Sequence, residues 1–253
     1  MDEQERQLKR LLTGQRFHTD GNRERMLEAA KALAGGYAMA TDGIAVLSDF
    51  QNNVRHIFSG CFGRTLGLPE YVENNDSAFE REVFDNIPHE ELLERHILEL
   101  RFFNYLKTVP TDVKTEYVAS CLIHFRRADA APTPILHTTR YLHCQPDGCV
   151  SLGLCTYVPM PLADGNTDGC IMNVCTGEAV KPELYGQCDG KMISGRQAEI
   201  LSLLAKGYGS KQIADRLNIS IHTVSRHRQD ILSRLNVTNT TAAVEIAIRM
   251  RLI

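Results

Sequence analysis

The chain has 253 residues, of which 43% are hydrophobic and 23% charged, so it can bury one large core or two modest ones. The opening MDEQERQLKRLL is too highly charged for a signal peptide, and no run approaches the roughly 20 apolar residues of a membrane span, so we expect a cytoplasmic protein. The net charge of −3 is divided unevenly, since residues 190–253 sum to +6 and the remainder to −9. Such a basic end indicates a polyanionic partner such as nucleic acid.

The eight cysteines are expected to stay reduced, because a chain of this length without a secretion signal seldom forms disulfides. No two of them have the Cys-x-x-Cys spacing of a zinc site, and His124, His137 and His143 on candidate strands lack ligand spacing as well. The sequence contains no glycine-rich phosphate loop and no local Cys–His motif. We therefore predict no metal, no cofactor and no catalytic residue, with an N-terminal thiol or metal enzyme as the alternative.

The first predicted element is a helix in RERMLEAAKALAGG, where apolar residues recur at helical spacing and Gly35-Gly36 is expected to end the helix. Two short strands follow at 43–48 and 53–58, and the turn-like DFQN between them predicts a hairpin. From Ala78 to Leu106 the pattern is helical again.

Three longer segments then alternate with a period of two, at 116–126, 135–144 and 149–158, which is typical of half-buried strands. QPDG at 145–148 predicts a tight turn between the second and third, and 170–177 is a candidate last strand. We therefore expect an α+β N-terminal domain, a single antiparallel sheet with helices on one face.

This order of elements over roughly residues 38–160, with IPHEELLERH before the second helical stretch and FRRADAAP between two late strands, resembles the PAS sensor fold. The resemblance implies a pocket between the sheet and the helical segment 83–106. A plain α+β domain of another family is the alternative, and core packing is the usual role of such side chains. The candidate pocket residues are Tyr117, Cys121, Phe125, Tyr141, Cys155 and Tyr157.

The stretch TGEAVKPELYGQCDGKM lacks periodicity and lies where the charge changes sign, which is typical of a linker. The predicted organisation is a regulatory domain at 1–175, a linker at 176–192 and a DNA-binding domain at 193–253.

The C-terminal domain is predicted to be all-α with four helices. Ser194 and Gln197 fit a capping box at the start of the first helix, which ends near Gly207. Ser210 is the expected cap of a short second helix, and Ser220 the cap of a third that reaches Leu235. A short helix, a tight turn and a longer helix in close succession are typical of a helix-turn-helix.

The third helix is predicted to bury one side, formed by Val224, Ile231, Leu232 and Leu235. The opposite side carries only hydrogen-bonding residues, namely His222, Ser225, Arg226, Gln229 and Ser233. Arg and Gln suit guanine and adenine edges in the major groove, and helix N-termini bind phosphates. A solvated helix surface is the alternative interpretation.

The segment ISGRQAEILSLLAKGYGSKQIADRLNISIHTVSRHRQDILSRLNV resembles the LuxR-type (NarL/FixJ-like) DNA-binding domain, and many spaced positions agree at once. It departs from the family pattern at Gly195, Gln197, Ser210 and Ser225, so the family's target sequence does not carry over. A sigma-factor-like promoter-recognition protein is the alternative. The predicted DNA-binding residues are Ser210, Lys211, Ser220, His222, Thr223, Ser225, Arg226, His227, Gln229 and Arg234.

In this family an N-terminal domain usually controls the DNA-binding half. The grouped strands fit a phosphoacceptor receiver poorly, and the absence of Trp disfavours an acyl-homoserine-lactone sensor, which leaves the PAS-like interpretation.

The fourth helix, 240–250, has two apolar sides, with Ala242, Ile246 and Met250 on one and Val244 and Ile248 nearly opposite. A helix with two apolar sides is expected to pack against a different partner on each side. We expect a homodimer through Val244, Ile248 and Arg251, since a two-fold axis suits paired half-sites, and docking on the N-terminal domain is the alternative.

Overall fold

The computed structural model describes residues 3–18, 21–126, 131–160, 169–182, 184, 193–235, 237–249 and 252–253. The N-terminal helices are α1 (Glu3–Thr13), α2 (Arg23–Thr41), α3 (Cys61–Thr65), α4 (Arg81–Phe84) and α5 (His89–Leu106), with a 3-10 helix at Thr111–Glu116. The strands are β1 (Ile44–Asp49), β2 (Val54–Ser59), β3 (Tyr71–Asn74), β4 (Tyr117–Phe125), β5 (Thr133–Cys144), β6 (Val150–Pro159) and β7 (Cys170–Asn173). The C-terminal helices are α6 (Gly195–Ala205), α7 (Ser210–Leu217), α8 (Ile221–Arg234) and α9 (Thr240–Arg249).

The strands form one antiparallel sheet in the order β3-β2-β1-β6-β5-β4-β7. The predicted hairpin is β1–β2 and the predicted meander is β4–β5–β6. β1 joins the two by pairing with β6, where Ile44 lies opposite Tyr157. In β4 the predicted alternation is confirmed, because Cys121, Ile123 and Phe125 are buried.

The sheet is covered on both faces, although the sequence predicted helices on one face alone. On the first face, α1, α4 and α5 contribute to the large core that includes Ile44 and Val46. On the second face, α2 packs through Ala30 and Ala34 against Leu47 and its neighbours. The small alanine side chains allow the helix backbone to approach the sheet closely. The spacing of apolar residues in α2 alone does not show on which face of the sheet the helix packs.

Helix α2 runs on to Thr41 through Gly35 and Gly36, which were expected to end it. The helix ends instead at Asp42, which adopts a left-handed conformation with φ 52°. A Cβ on Gly35 would lie 3.3 Å from Phe58 Cδ1, so this glycine permits close packing on β2. Packing on the sheet therefore outweighs the cost of glycine in a helix, about 1 kcal/mol per residue.

The predicted helical stretch from Ala78 to Leu106 is two helices, because Pro88 interrupts it. Pro88 adopts an extended conformation (φ −55°, ψ 141°) and precedes the first residue of α5. Helix α1 was not predicted as an element, yet Leu8 and Leu12 are fully buried in the large core.

Helices α6 to α9 surround a second core, formed by Ile193, Ile200, Leu201, Ile213, Ala214, Val224, Ile231, Leu235, Ala243, Ile246 and Ala247. Leu93 and Ile97 of α5 are fully buried members of the same core. The second core is therefore completed by a helix of the N-terminal part.

No helix among the described residues is long and apolar enough to cross a membrane. Of the predicted linker, residues 183 and 185–192 lie outside the described residues. Before them, the Val180 N–H donates to the Ile171 carbonyl (2.8 Å), so the chain still follows the edge of the sheet at this point.

Candidate nucleic-acid interface

Helix α8 begins where the sequence predicted it to begin. The Ser220 hydroxyl accepts a hydrogen bond from the Thr223 N–H (3.0 Å) and lies 2.8 Å from the Thr223 hydroxyl. Asn218, in the left-handed conformation with φ 52°, ends α7 and allows the tight turn between the two helices. These two caps fix the angle at which α8 leaves α7.

The start of α7 differs from the prediction. Gly209 is the N-cap, and its N–H donates to Gln212 Oε1 (2.9 Å), whereas Ser210 is the first helical residue. The Ser210 hydroxyl accepts a hydrogen bond from Arg228 Nη1 (2.7 Å), and Arg228 Nη2 donates to the Thr240 hydroxyl (2.7 Å).

Arg228 thereby ties α8 to the start of α7 and to the start of α9. No local sequence pattern indicates this role of Arg228, because the role depends on two residues that are distant along the chain. The sequence feature that could have indicated this role is the position of Arg228 between the buried and the exposed side of α8.

The two predicted sides of α8 are confirmed. Val224, Ile231 and Leu235 are buried, and Leu232 is partly buried against the same core. The opposite side, which we call the α8 polar face, is exposed; it consists of His222, Ser225, Arg226, Gln229 and Ser233. Because the rear of the helix packs in the second core, this face is held rigidly toward solvent.

The other predicted DNA-binding residues surround this face unevenly. Lys211 is exposed on the first turn of α7, while Thr223 and His227 are half-buried. Arg234 is exposed at the far end of α8, about 20 Å from the start of the helix at 1.5 Å per residue. Its backbone carbonyl accepts a hydrogen bond from Gln4 Nε2 of α1.

Two further contacts hold the neighbouring helices. Arg196 Nη2 donates to the Leu217 carbonyl at the end of α7 (2.7 Å), and Arg196 Nη1 pairs with Glu199 (2.8 Å). The guanidinium of Arg216 stacks on the Tyr208 ring, 4.2 Å from its centroid.

Residues 191–247 match the protein-family model described as "Bacterial regulatory proteins, luxR family". The chain carries a LuxR-type helix-turn-helix domain. Within this domain, α8 is the second helix of the helix-turn-helix.

The curated proteins to which this chain is similar include oxygen regulatory proteins. The oxygen regulatory protein NreC of Staphylococcus epidermidis is 35% identical over 99 residues, which amount to 39% of this chain and 43% of that protein. NreC of Staphylococcus aureus is 34% identical over 98 residues, with the same shares. The chain thus covers less than half the length of these relatives.

Among solved structures, a phage VqmA–DPO complex matches at 15% identity over 89% of each chain, with a TM-score of 0.29. Escherichia coli SdiA matches at 17% identity over 99% of this chain and 97% of that chain, with a TM-score of 0.26. These scores are too low to establish a shared overall arrangement.

Of the predicted dimer contacts of the LuxR-type domain, the two that the structure describes, Ile248 and Val244, differ in their exposure. Ile248 is 55% exposed, whereas Val244 is partly buried against the domain's own core, and Arg251 lies outside the described residues. The buried side of α9 is Ala243, Ile246 and Ala247, so of the predicted inner side Ile246 is confirmed. Ala242 is partly exposed, and Met250 lies outside the described residues.

The predicted pocket residues of the N-terminal part are core residues for the most part. Tyr141 packs between Phe102, at 5.1 Å between ring centroids, and Phe50 and Phe103. Tyr117 is half-buried beside Tyr105. The remaining four, Cys121, Phe125, Cys155 and Tyr157, are buried in the large core.

A buried ionic cluster, which was not predicted from the sequence, lies among them. Arg95 Nη2 donates to Glu80 Oε1 (2.9 Å), which also accepts from the Tyr157 hydroxyl (2.7 Å). Arg95 Nη1 lies 2.9 Å from Glu99 Oε2, and Arg95 Nε donates to His137 Nε2 (3.3 Å). The available signal was the i, i+4 spacing of Arg95 and Glu99 among the apolar residues Ile97, Leu98 and Leu100.

The charge states of this cluster follow from its burial. Burial raises the pKa of Glu99, although Arg95 opposes the shift. Burial, and then the charge of Arg95, lower the pKa of His137 well below its usual value. The neutral His137 ring fits its contacts, since Nε2 accepts from Arg95 and Nδ1 donates to the Thr156 carbonyl (3.2 Å).

The hydroxyl of Tyr141 is a further buried polar atom of this region. Among the described residues, the hydroxyl of the fully buried Tyr141 has no hydrogen-bond partner. A buried hydroxyl without a partner costs free energy, so such an atom in a native core calls for an explanation.

Within the described part of the chain, no group of three or more His, Cys, Asp or Glu side chains is arranged to hold a metal ion.

Proposed function

We propose that the chain is a sequence-specific transcription regulator that binds double-stranded DNA by placing the α8 polar face in the major groove. The observation that carries this proposal is the exposure of that whole face on a helix whose opposite side is locked in a LuxR-type core. Arg226 and Gln229 read base edges, because their side chains match the hydrogen-bonding patterns of guanine and adenine.

Phosphate contacts position the helix on the duplex. Lys211 and the N-terminal turns of α7 and α8 supply them, since free N–H groups at helix starts and basic side chains bind anions. Ser210 contributes indirectly, because its hydroxyl is bonded to Arg228 and orients that guanidinium.

The test is the salt dependence of duplex binding by the full chain, because Leu93 and Ile97 complete the core that supports α8. A preferred duplex is selected from a random library, and its affinity is measured by fluorescence anisotropy at several salt concentrations. The logarithm of the binding constant should fall with the logarithm of salt concentration by about 0.9 per phosphate contact. An affinity that does not change with salt contradicts the proposal.

The proposed organisation is a PAS-like sensor domain at 1–175, a linker at 176–192 and the LuxR-type domain at 193–253. The strand order supports the PAS-like assignment, because the early β1–β2 hairpin lies beside β6, the last strand of the late meander. Helix α5 supports a controlling role for this domain, since one side of α5 lies in the ionic cluster and the other in the LuxR-type core.

The sensor domain is proposed to have no enzymatic activity. A cysteine nucleophile must be a thiolate, and burial raises the pKa of Cys121 to about 12 and that of Cys144 to about 11. The pKa of Cys155 is also raised well above its usual value by burial. These three thiols stay protonated near neutral pH, which argues against the thiol-enzyme alternative for them.

The proposed signal is a small molecule that pairs with the buried Tyr141 hydroxyl and the neighbouring ionic cluster. Native mass spectrometry of the purified full chain should detect a retained ligand, and Tyr141→Phe should retain less of it without loss of stability. Equal retention by both proteins contradicts this location. The regulator is further proposed to act in the cytoplasm as a homodimer on paired half-sites, with Ile248 near the partner's LuxR-type domain.

A further inference from the structure

Helix α2 is apolar on two sides, but the fold covers one of them. Ala30, Ala34 and Ala38 face the sheet, whereas Leu33 is 53% and Met39 75% exposed. Between residues 29 and 40 the only charged residue is Lys31, which pairs with Glu28 at 3.0 Å. A contiguous apolar surface exposed on a folded protein normally marks a contact with a partner.

We call the exposed side the α2 outer face; it consists of Ala29, Ala32, Leu33, Gly36, Tyr37 and Ala40. No neighbour in the described part of the chain explains Gly36, because a Cβ there would meet nothing within 4 Å. Glycine is among the poorest helix formers, and its usual justification is a closely approaching partner. Gly35 next to it has such a partner in Phe58, at 3.3 Å from its ideal Cβ.

We infer that the α2 outer face is covered by α2 of a second copy of this chain, running antiparallel about a two-fold axis between residues 34 and 35. At 100° per residue the six residues lie on one side of the helix. The two-fold axis places Leu33 opposite the partner's Gly36, Tyr37 opposite the partner's Ala32, and Ala29 opposite the partner's Ala40. Each large side chain therefore meets a small residue.

Charge favours the same arrangement. Arg25 is exposed one turn before Ala29 on the same side of the helix. Antiparallel pairing brings it to the end of the partner helix, where Asp42 is exposed and the final carbonyl groups carry partial negative charge. The contact is isologous, so one patch that complements itself is sufficient for a closed dimer.

The test is analytical ultracentrifugation of the full chain without DNA, over a range of concentrations. The native chain should sediment as a dimer. In Leu33→Arg a charge replaces the side chain that meets the partner's Gly36, and the dimer dissociation constant should rise by about 100-fold or more. Since Leu33 is 53% exposed, the monomer should fold normally, which circular dichroism verifies.

Two controls separate this surface from others. Glu24→Arg changes an exposed charge of α2 outside the outer face and should leave the dissociation constant within about threefold of the native value, because surface charge pairs contribute little. Ile248→Arg probes α9 and should also leave the DNA-free dimer intact.

Gly36→Leu fills the space for the partner's Leu33 and should dissociate the dimer as Leu33→Arg does. A monomeric native chain, a Leu33→Arg chain that remains dimeric, or a dimer lost in Ile248→Arg alone overturns the inference. Because no DNA is present, the result is independent of the proposed function.

Discussion

Leu93 and Arg95 are two residues apart on α5, and both are buried, but they belong to different cores. Leu93 packs with the LuxR-type domain, and Arg95 lies among Glu80, Glu99 and His137 beside the sheet. A helix turns about 200° over two residues, so the two side chains point in nearly opposite directions. Any change in the ionic cluster that moves α5 also moves Leu93 and Ile97, which are part of the core of the LuxR-type domain.

Leu93→Ala should destabilise the LuxR-type domain, because it leaves a cavity in that core. The expected cost is about 2–5 kcal/mol. Hydrogen exchange should show lost protection in α6 to α8. Leu92→Ala is the matched control, since Leu92 packs against the large N-terminal core instead. Unchanged protection of α6 to α8 in Leu93→Ala would show that α5 does not support the domain.

Arg95→Met should strongly destabilise the N-terminal part, because it leaves the carboxyl groups of Glu80 and Glu99 buried without their cation. The expected cost is about 3–5 kcal/mol, measured by urea unfolding. Adding Glu80→Gln and Glu99→Gln should recover much of this loss, since neutral amides need no counter-charge. A triple variant less stable than the single one would contradict the ion-pair explanation.

The stability of the protein should fall as the pH drops below 6.5, the usual pKa of histidine. The native state keeps His137 neutral, because burial and Arg95 depress its pKa, whereas the unfolded state takes up the proton. The unfolded state then binds more protons, which lowers the free energy of unfolding by up to about 1.4 kcal/mol per pH unit.

His137→Asn should make the pH dependence shallower between pH 7 and 5, in urea unfolding at each pH. His56, whose pKa is also lowered by burial, contributes the same slope to both proteins and cancels in the comparison. Parallel profiles for the native chain and His137→Asn would contradict this assignment.

Arg226→Ala and Lys211→Ala should have different effects on DNA binding. Loss of a base contact should cost about 1–3 kcal/mol on the preferred duplex and relax the preference at one base pair, whereas loss of a phosphate contact should weaken all duplexes similarly and lower the salt slope by about one. Arg10→Ala, which removes an exposed charge from α1, is the control and should do neither. Competition with single-base variants of the duplex distinguishes the two outcomes.

The sequence alone was sufficient wherever the signal is local. The alternation of apolar residues predicted β4, β5 and β6, and the caps at Ser194 and Ser220 predicted the starts of α6 and α8. The two sides of α8 followed from helical periodicity, because the spacing of apolar and polar residues along a helix determines which side is buried and which is exposed.

Only the tertiary structure decided features that depend on segments far apart in the chain. Helix α2 passes through Gly35 because Phe58 lies beneath it, and the Ser210 hydroxyl is occupied by Arg228 rather than free to cap a helix. The ionic cluster around Arg95 and the position of Leu93 in the LuxR-type core have the same origin. Periodicity predicts that a side chain is buried, but the partner that buries it is set by how distant elements pack together.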